Sequence, residues 1–332
     1  DVKSMVQKFE EDSGTSLRPM PETIGAYKVI DILGRGGVSV VYRAQQQSPR
    51  RMVAIKVLES SEPSPKLLRR FELESHVLGQ LEHPGIGRIY EAGEEDGRAY
   101  FAMELINGSH ITDHCRNNNL TVDDRLRIFM QVCDAIGFAH QQEVIHRDLK
   151  PANILVDASG RTKIVDFGIA RLTSVSRDMT TVHTAIGQLL GTIPYMSPEQ
   201  IAGRHDIIGP TSDIYSLGVI LFELLVGRLP YDLSNKTLPE AARTIREEQP
   251  ESLGSISREL RGPLDKIIAR MLHKEPDKRY QSAAEVLDDI ELYLQHGDLT
   301  VPTDVVIHES RSRNEPAPKS HRIALFGLLM LI

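Results

Sequence analysis

The stretch His146-Arg147-Asp148-Leu149-Lys150-Pro151-Ala152-Asn153 continues into Ile154-Leu155-Val156 and, after a turn, into Lys163-Ile164-Val165-Asp166-Phe167-Gly168. Two acids, one lysine and one amide stand at fixed intervals around two short β-type runs. Polar groups bracketing a tight hairpin suit a site that holds a divalent metal and orients a hydroxyl nucleophile at once. Asp and Asn offer hard oxygen ligands, and magnesium accepts few protein ligands beside phosphate and water.

Toward the N-terminus the pattern is mostly β. Residues 27–33 alternate as a strand, enter Gly34-Arg35-Gly36-Gly37-Val38-Ser39 and leave through Val40-Val41-Tyr42-Arg43-Ala44. A glycine-rich hairpin can bring backbone N–H groups close to phosphate oxygens, because no Cβ intervenes. No helix signature follows at once, which counts against a Rossmann turn or a P-loop. The next strand, Val53-Ala54-Ile55-Lys56-Val57-Leu58, carries one cation inside an apolar run. Such a lysine either meets an anion in a cleft or snorkels to water from an edge. Residues 65–81 have helical spacing, with Leu67, Phe71, Leu78 and Leu81 on the apolar face, and His83-Pro84 ends the helix. Two strands follow, over 87–93 and 98–103, then the connector 104–108. From there helices dominate, over 120–141, 213–226, 239–247, 257–272 and 282–295. The shift from strands to helices marks a boundary between two lobes, and a cleft between lobes is a favoured ligand site. Between them, residues 169–194 form a long loop rich in Ser and Thr.

Composition narrows the function classes. A net charge of −7 over 332 residues gives no broad basic field for nucleic acid. Two cysteines, Cys115 and Cys133, argue against a disulfide framework and for a reducing compartment. Residues 1–26 read as a flexible leader and 297–322 as a juxtamembrane linker. The run 323–332 is unbroken apolar, with Arg311, Arg313, Lys319 and Arg322 before it. It reads as the start of a truncated transmembrane helix, the basic residues marking its cytoplasmic side.

The motifs together carry a resemblance. Gly34-x-Gly36, Val53-Ala54-Ile55-Lys56, His146-Arg147-Asp148, Asn153, Asp166-Phe167-Gly168 and Ser197-Pro198-Glu199 occur in this order. Asp213-Ile214-Tyr215-Ser216-Leu217-Gly218 and Arg279 follow. From residue 27 to about 296 the chain resembles the eukaryotic-like protein kinases, in particular the bacterial membrane-anchored serine/threonine kinases. The resemblance implies an α+β, two-lobed fold: a small antiparallel sheet with one helix (27–103), a hinge (104–108) and a mainly helical C-lobe (109–296). It implies transfer of the ATP γ-phosphate to Ser or Thr hydroxyls of proteins, with ATP and Mg²⁺ (or Mn²⁺) as cofactors. A pseudokinase scaffold that binds nucleotide is the alternative; the presence of Lys56, Asp148 and Asp166 weighs against it.

The roles the family implies follow residue by residue. Asp148 accepts the substrate proton, Lys150 steadies the γ-phosphate, Lys56 holds the α/β-phosphates and Glu74 fixes Lys56. Asn153 and Asp166 ligate the metal. Leu33, Gly34, Arg35, Gly36, Gly37, Val38, Ser39, Val40, Val41, Ala54, Met103 as gatekeeper, Glu104, Ile106 and Leu155 surround the nucleotide. Thr192 positions the substrate beside Asp148 and Lys150. Arg147 belongs to a basic pocket for a phosphate on the activation loop, with Thr180, Thr181 and Thr184 as candidate phosphosites. Ser39 departs from the family glycine, which implies altered nucleotide affinity. The expected partners are protein substrates, ATP, a second kinase domain and the membrane. The expected location is a cytoplasmic kinase domain anchored to the cell membrane by a single helix.

Overall fold

The structure is a computed structural model and describes residues 20–36, 39–58, 75, 77–167 and 191–296. Its first lobe is built on alternation. Six antiparallel strands form one sheet: β1 Thr23–Ile24, β2 Tyr27–Arg35, β3 Ser39–Gln46, β4 Arg51–Leu58, β5 Ile89–Glu95 and β6 Arg98–Glu104, in the order β1-β2-β3-β4-β6-β5. Successive side chains of a strand point to opposite faces. Tyr27, Val29, Val40, Tyr42, Val53, Ile55 and Tyr100 therefore share one core. Val41, Ala54, Phe101 and Met103 pack on the other face. The helix expected over 65–81 lies largely outside the described residues; residues 75 and 77–79 are helical.

A second, three-stranded antiparallel sheet follows: β7 Gly108–His110, β8 Ile154–Asp157 and β9 Thr162–Ile164. Strand β7 begins at Gly108, the last residue of the connector expected over 104–108. Gly108 fits there because a Cβ would stand 2.4 Å from the Val156 carbonyl oxygen. The segment before β5 joins this sheet as well: Ile164 N donates to Gly85 O and Gly87 N to Ile164 O, each at 2.8 Å.

The second lobe is mainly helical, with α1 Ile111–Asn117, α2 Val122–Gln141, α3 Pro198–Ile201, α4 Pro210–Val226, α5 Leu238–Glu247, α6 Leu253–Ile256, α7 Pro263–Met271 and α8 Ala283–His296. Helix α4 is buried almost all round, as its apolar sequence dictates. Gly218 lets α7 approach it, since a Cβ there would stand 2.8 Å from Met271 Cβ. Thr121 caps α2 by accepting from Asp124 N. The single helix expected over 257–272 is broken: Gly262 has φ +115° and Pro263 restarts the chain as α7. Cys115 and Cys133 are buried free thiols.

The membrane reading is corrected. Among the described residues no helix is long and apolar enough to cross a membrane. The run 323–332 lies outside those residues. With no such helix among the described residues, the transmembrane helix, the membrane as partner and the membrane-anchored location are set aside.

Candidate active site

The central stretch is held from below by one carboxylate. Asp213, in the first turn of α4, accepts His146 N at 2.8 Å and Arg147 N at 2.9 Å, and His140 Nε2 lies 2.8 Å from its Oδ2. Burial alone would raise this carboxyl. The His140 hydrogen bond, the neighbouring imidazoles and the Arg147 N–H outweigh burial and hold it below its ordinary range. These bonds fasten the loop where Arg147 adopts φ +67°, a conformation costly for a side-chain-bearing residue.

His146 is fully buried and ties the two halves of the stretch together. Its Nδ1 accepts Asp148 N at 3.3 Å, which leaves Nε2 to donate to Val165 O at 3.1 Å. Its ring packs on Phe167 with centroids 4.6 Å apart. Asn153 adds further ties: Nδ2 donates to Asp148 O at 2.7 Å, and Val165 N donates to Asn153 O at 2.9 Å. With its amide nitrogen committed inward, Asn153 keeps its Oδ1 as the acceptor end.

Around this frame the charged groups converge. Lys150 Nζ lies 2.9 Å from Asp148 Oδ2 and 2.8 Å from Thr192 Oγ1. Lys56 Nζ lies 2.7 Å from Asp166 Oδ2, bringing the cation of β4 to the acid that follows β9. Asp166 itself has φ +64°. Both pairs are partly buried, so their attraction is less screened than at an open surface.

The residues expected around a nucleotide lie on both sheets and in the segment after β6. Val41, Ala54 and Met103 share one face, and Leu155 is partly buried on β8. Leu33 is exposed, and Val40 turns the other way into the sheet core. Gly36 N donates to Ser39 O at 2.7 Å across the glycine turn. No described residue lies within 4 Å of where a Cβ at Gly34 would stand. Arg35 is exposed, Ser39 is buried, and Glu104 and Ile106 are partly buried. A cavity of about 20 Å³ behind Met103 is lined by Leu78, Leu81, Ile89, Val165 and Phe167. Gly37, Val38, Glu74, Gly168, Thr180, Thr181 and Thr184 lie outside the described residues.

The donor set fits magnesium bound together with phosphate. Among the described residues no group of three or more His, Cys, Asp or Glu could hold a metal by itself. One carboxylate and one amide oxygen suffice for an ion that takes its other ligands from phosphates and water. Beyond the sequence reading, two residues join the site. His140 supports Asp213, and Lys163 on β9 lies 2.9 Å from Glu104 Oε2. Lys163 carried the same signal as Lys56, a lone cation in an apolar strand.

Three residues after Thr192, Tyr195 OH donates to Glu223 Oε2 at 2.6 Å, and burial raises the Glu223 carboxyl. Farther down, Glu199 and Arg279 form an ion pair through two contacts of 2.8 Å with both side chains buried. Burial opposes the Glu199 charge, but hydrogen bonds from Arg279 and Ser212 hold its carboxyl below the ordinary range.

The chain thus has the two-lobed α+β fold that the sequence implied. The family described as the protein kinase domain matches residues 27–290, and the chain belongs to that family. It is similar to serine/threonine-protein kinase PrkC of Bacillus subtilis, 37% identical over 268 residues, covering 80% of this chain and 40% of PrkC. It is similar also to serine/threonine-protein kinase PknB of Mycobacterium tuberculosis, 35% identical over 270 residues, covering 80% of this chain and 42% of PknB. The chain thus spans less than half the length of these relatives. Among solved structures, the kinase domain of M. tuberculosis PknI matches with a TM-score of 0.64 at 28% identity, covering 82% of this chain and 97% of that one. ATP and Mg²⁺ are the cofactors expected of this family.

Proposed function

We propose that residues 27–296 form a kinase module that transfers the γ-phosphate of ATP to Ser or Thr hydroxyls of protein substrates. One observation carries the reading: a single ammonium, Lys150, lies within hydrogen-bond distance of both Asp148 and Thr192. A cation between a carboxylate and a hydroxyl supplies a base, a charge for the transferring group and a wall for the substrate in one place. Asp148 accepts the proton of the substrate hydroxyl at a carboxylate oxygen. Lys150 offsets charge that develops on the transferring group, and Thr192 limits where the substrate hydroxyl can sit. Lys56 binds phosphate oxygens in place of part of its bond to Asp166, and Glu74 orients it. Asn153 and Asp166 would hold the metal, which when bound would supply positive charge against the phosphates. The base lies between Ala54, Val41 and Leu155, against backbone at Glu104 and Ile106. Phosphorylation of the loop at Thr180, Thr181 or Thr184 activates the module, with Arg147 in the pocket that receives the phosphate.

The test is incubation with radiolabelled ATP and Mg²⁺, comparing the wild type with Asp148→Asn. Labelling on Ser or Thr that disappears in the variant is expected. Equal labelling in both would remove Asp148 from its role. Nucleotide binding without labelling of any protein by the wild type would replace the kinase reading with a scaffold.

A further inference from the structure

The hinge residue Glu104 is held by more than its own strand. It ends β6 in the sheet lobe. Its carboxylate Oε2 accepts Lys163 Nζ at 2.9 Å and Arg88 N at 3.2 Å. Its own N–H donates to Arg88 O at 2.8 Å. Lys163 stands on β9, in register with Leu155 and three residues before Asp166. The same ammonium also reaches Ile86 O, at 3.4 Å, in the segment that joins the two sheets. The Lys163 and Glu104 side chains are 21% and 29% exposed. They are buried enough for the pair to set a geometry, where an open surface pair would contribute little.

One cation thus connects the last residue of the sheet lobe, the strand carrying a face of the cleft and the segment leading into β5. We infer that Lys163 is a positioning residue for nucleotide: through Glu104 it fixes the hinge backbone against Leu155, and so sets the width of the base slot. It touches neither phosphate nor the reacting hydroxyl. Its loss therefore weakens nucleotide binding and leaves the chemical step nearly as it was. The inference rests on the proposed nucleotide site, and the experiment separates the two.

Binding of Mg-ATP to the whole chain is measured by calorimetry, alongside KM for ATP and kcat, for wild type, Lys163→Met and Lys163→Arg. Loss of one charge-assisted hydrogen bond predicts affinity weaker by about tenfold in Lys163→Met. KM should rise in step and kcat should stay within about twofold, as for loss of uniform binding. Lys163→Arg keeps the charge and the donors and is expected to recover most of the affinity. A wild type that binds no nucleotide would overturn the proposed site itself. A wild type that binds, with Lys163→Met binding equally well, would overturn the positioning role alone. So would a fall in kcat with KM unchanged, or a Lys163→Arg variant that binds no better than Lys163→Met while the thermal midpoint is retained.

Discussion

At the scale of single residues, the site depends on charges placed between two partners. Lys150 serves Asp148 and Thr192 at once. Thr192→Val removes the hydroxyl and should lower kcat by about tenfold or more, the scale of a hydrogen bond to a charged group. Thr192→Ser keeps the hydroxyl and should stay within severalfold of wild type in steady-state phosphorylation. Equal loss in the two variants would mean that shape, and not the hydroxyl, matters there. These residue types and their spacing were legible in the sequence, because phosphoryl transfer needs a base, a cation and oxygen ligands in a narrow region. The support from His140 to Asp213 was not, since the two residues are 73 positions apart and meet only when α2 and α4 pack.

At the scale of elements, α4 bears the second lobe. Its burial leaves no room for added volume at Gly218, where Met271 and Leu272 press closest. Gly218→Val should cost about 1–3 kcal/mol, as overpacking does, and a thermal melt showing no loss would contradict the close approach. Thr121→Ala removes the cap of α2 and should cost about 1 kcal/mol in urea unfolding. Strand alternation and helical periodicity were readable along most of the chain. The break at Gly262-Pro263 was readable too, as a Gly-Pro pair, but apolar spacing over 257–272 concealed it. Strand β7 had no such signal: Gly108-Ser109-His110 has no strand composition and pairs only because β8 offers a free edge.

At the scale of the molecule, two buried carboxylates couple the helical lobe to pH. Glu199 joins the segment after Thr192 to Arg279 near the end of the domain, across 80 positions. Removing one partner strands the other charge, so Glu199→Ala should destabilise by about 3–5 kcal/mol, read from urea midpoints at neutral pH. The acid dependence follows from the lowered carboxyls of Glu199 and Asp213. A group whose folded value lies below its unfolded one contributes stability above the unfolded value and loses it as pH falls through the folded one. From ordinary values of 4.5 for Glu199 and 3.8 for Asp213, stability should hold at neutral pH and fall progressively below about 4.5. Urea midpoints from pH 7 to 3 test this, and Glu199→Gln should flatten part of the decline. A midpoint unchanged down to pH 3 would refute it.

The sequence by itself determined the two-lobed plan and the spacing of polar residues along the central stretch. Alternation, helical spacing and the demands of phosphoryl transfer are local and leave marks at fixed intervals. Only the tertiary structure decided which distant groups hold those residues in place. Asp213 under the 146–147 backbone and Lys163 across to Glu104 are contacts between elements far apart in the chain. Their energies come from burial and hydrogen-bond geometry, which exist only once the lobes have packed. The membrane helix expected near the C-terminus has no counterpart among the described residues, where no helix is long and apolar enough to cross a membrane.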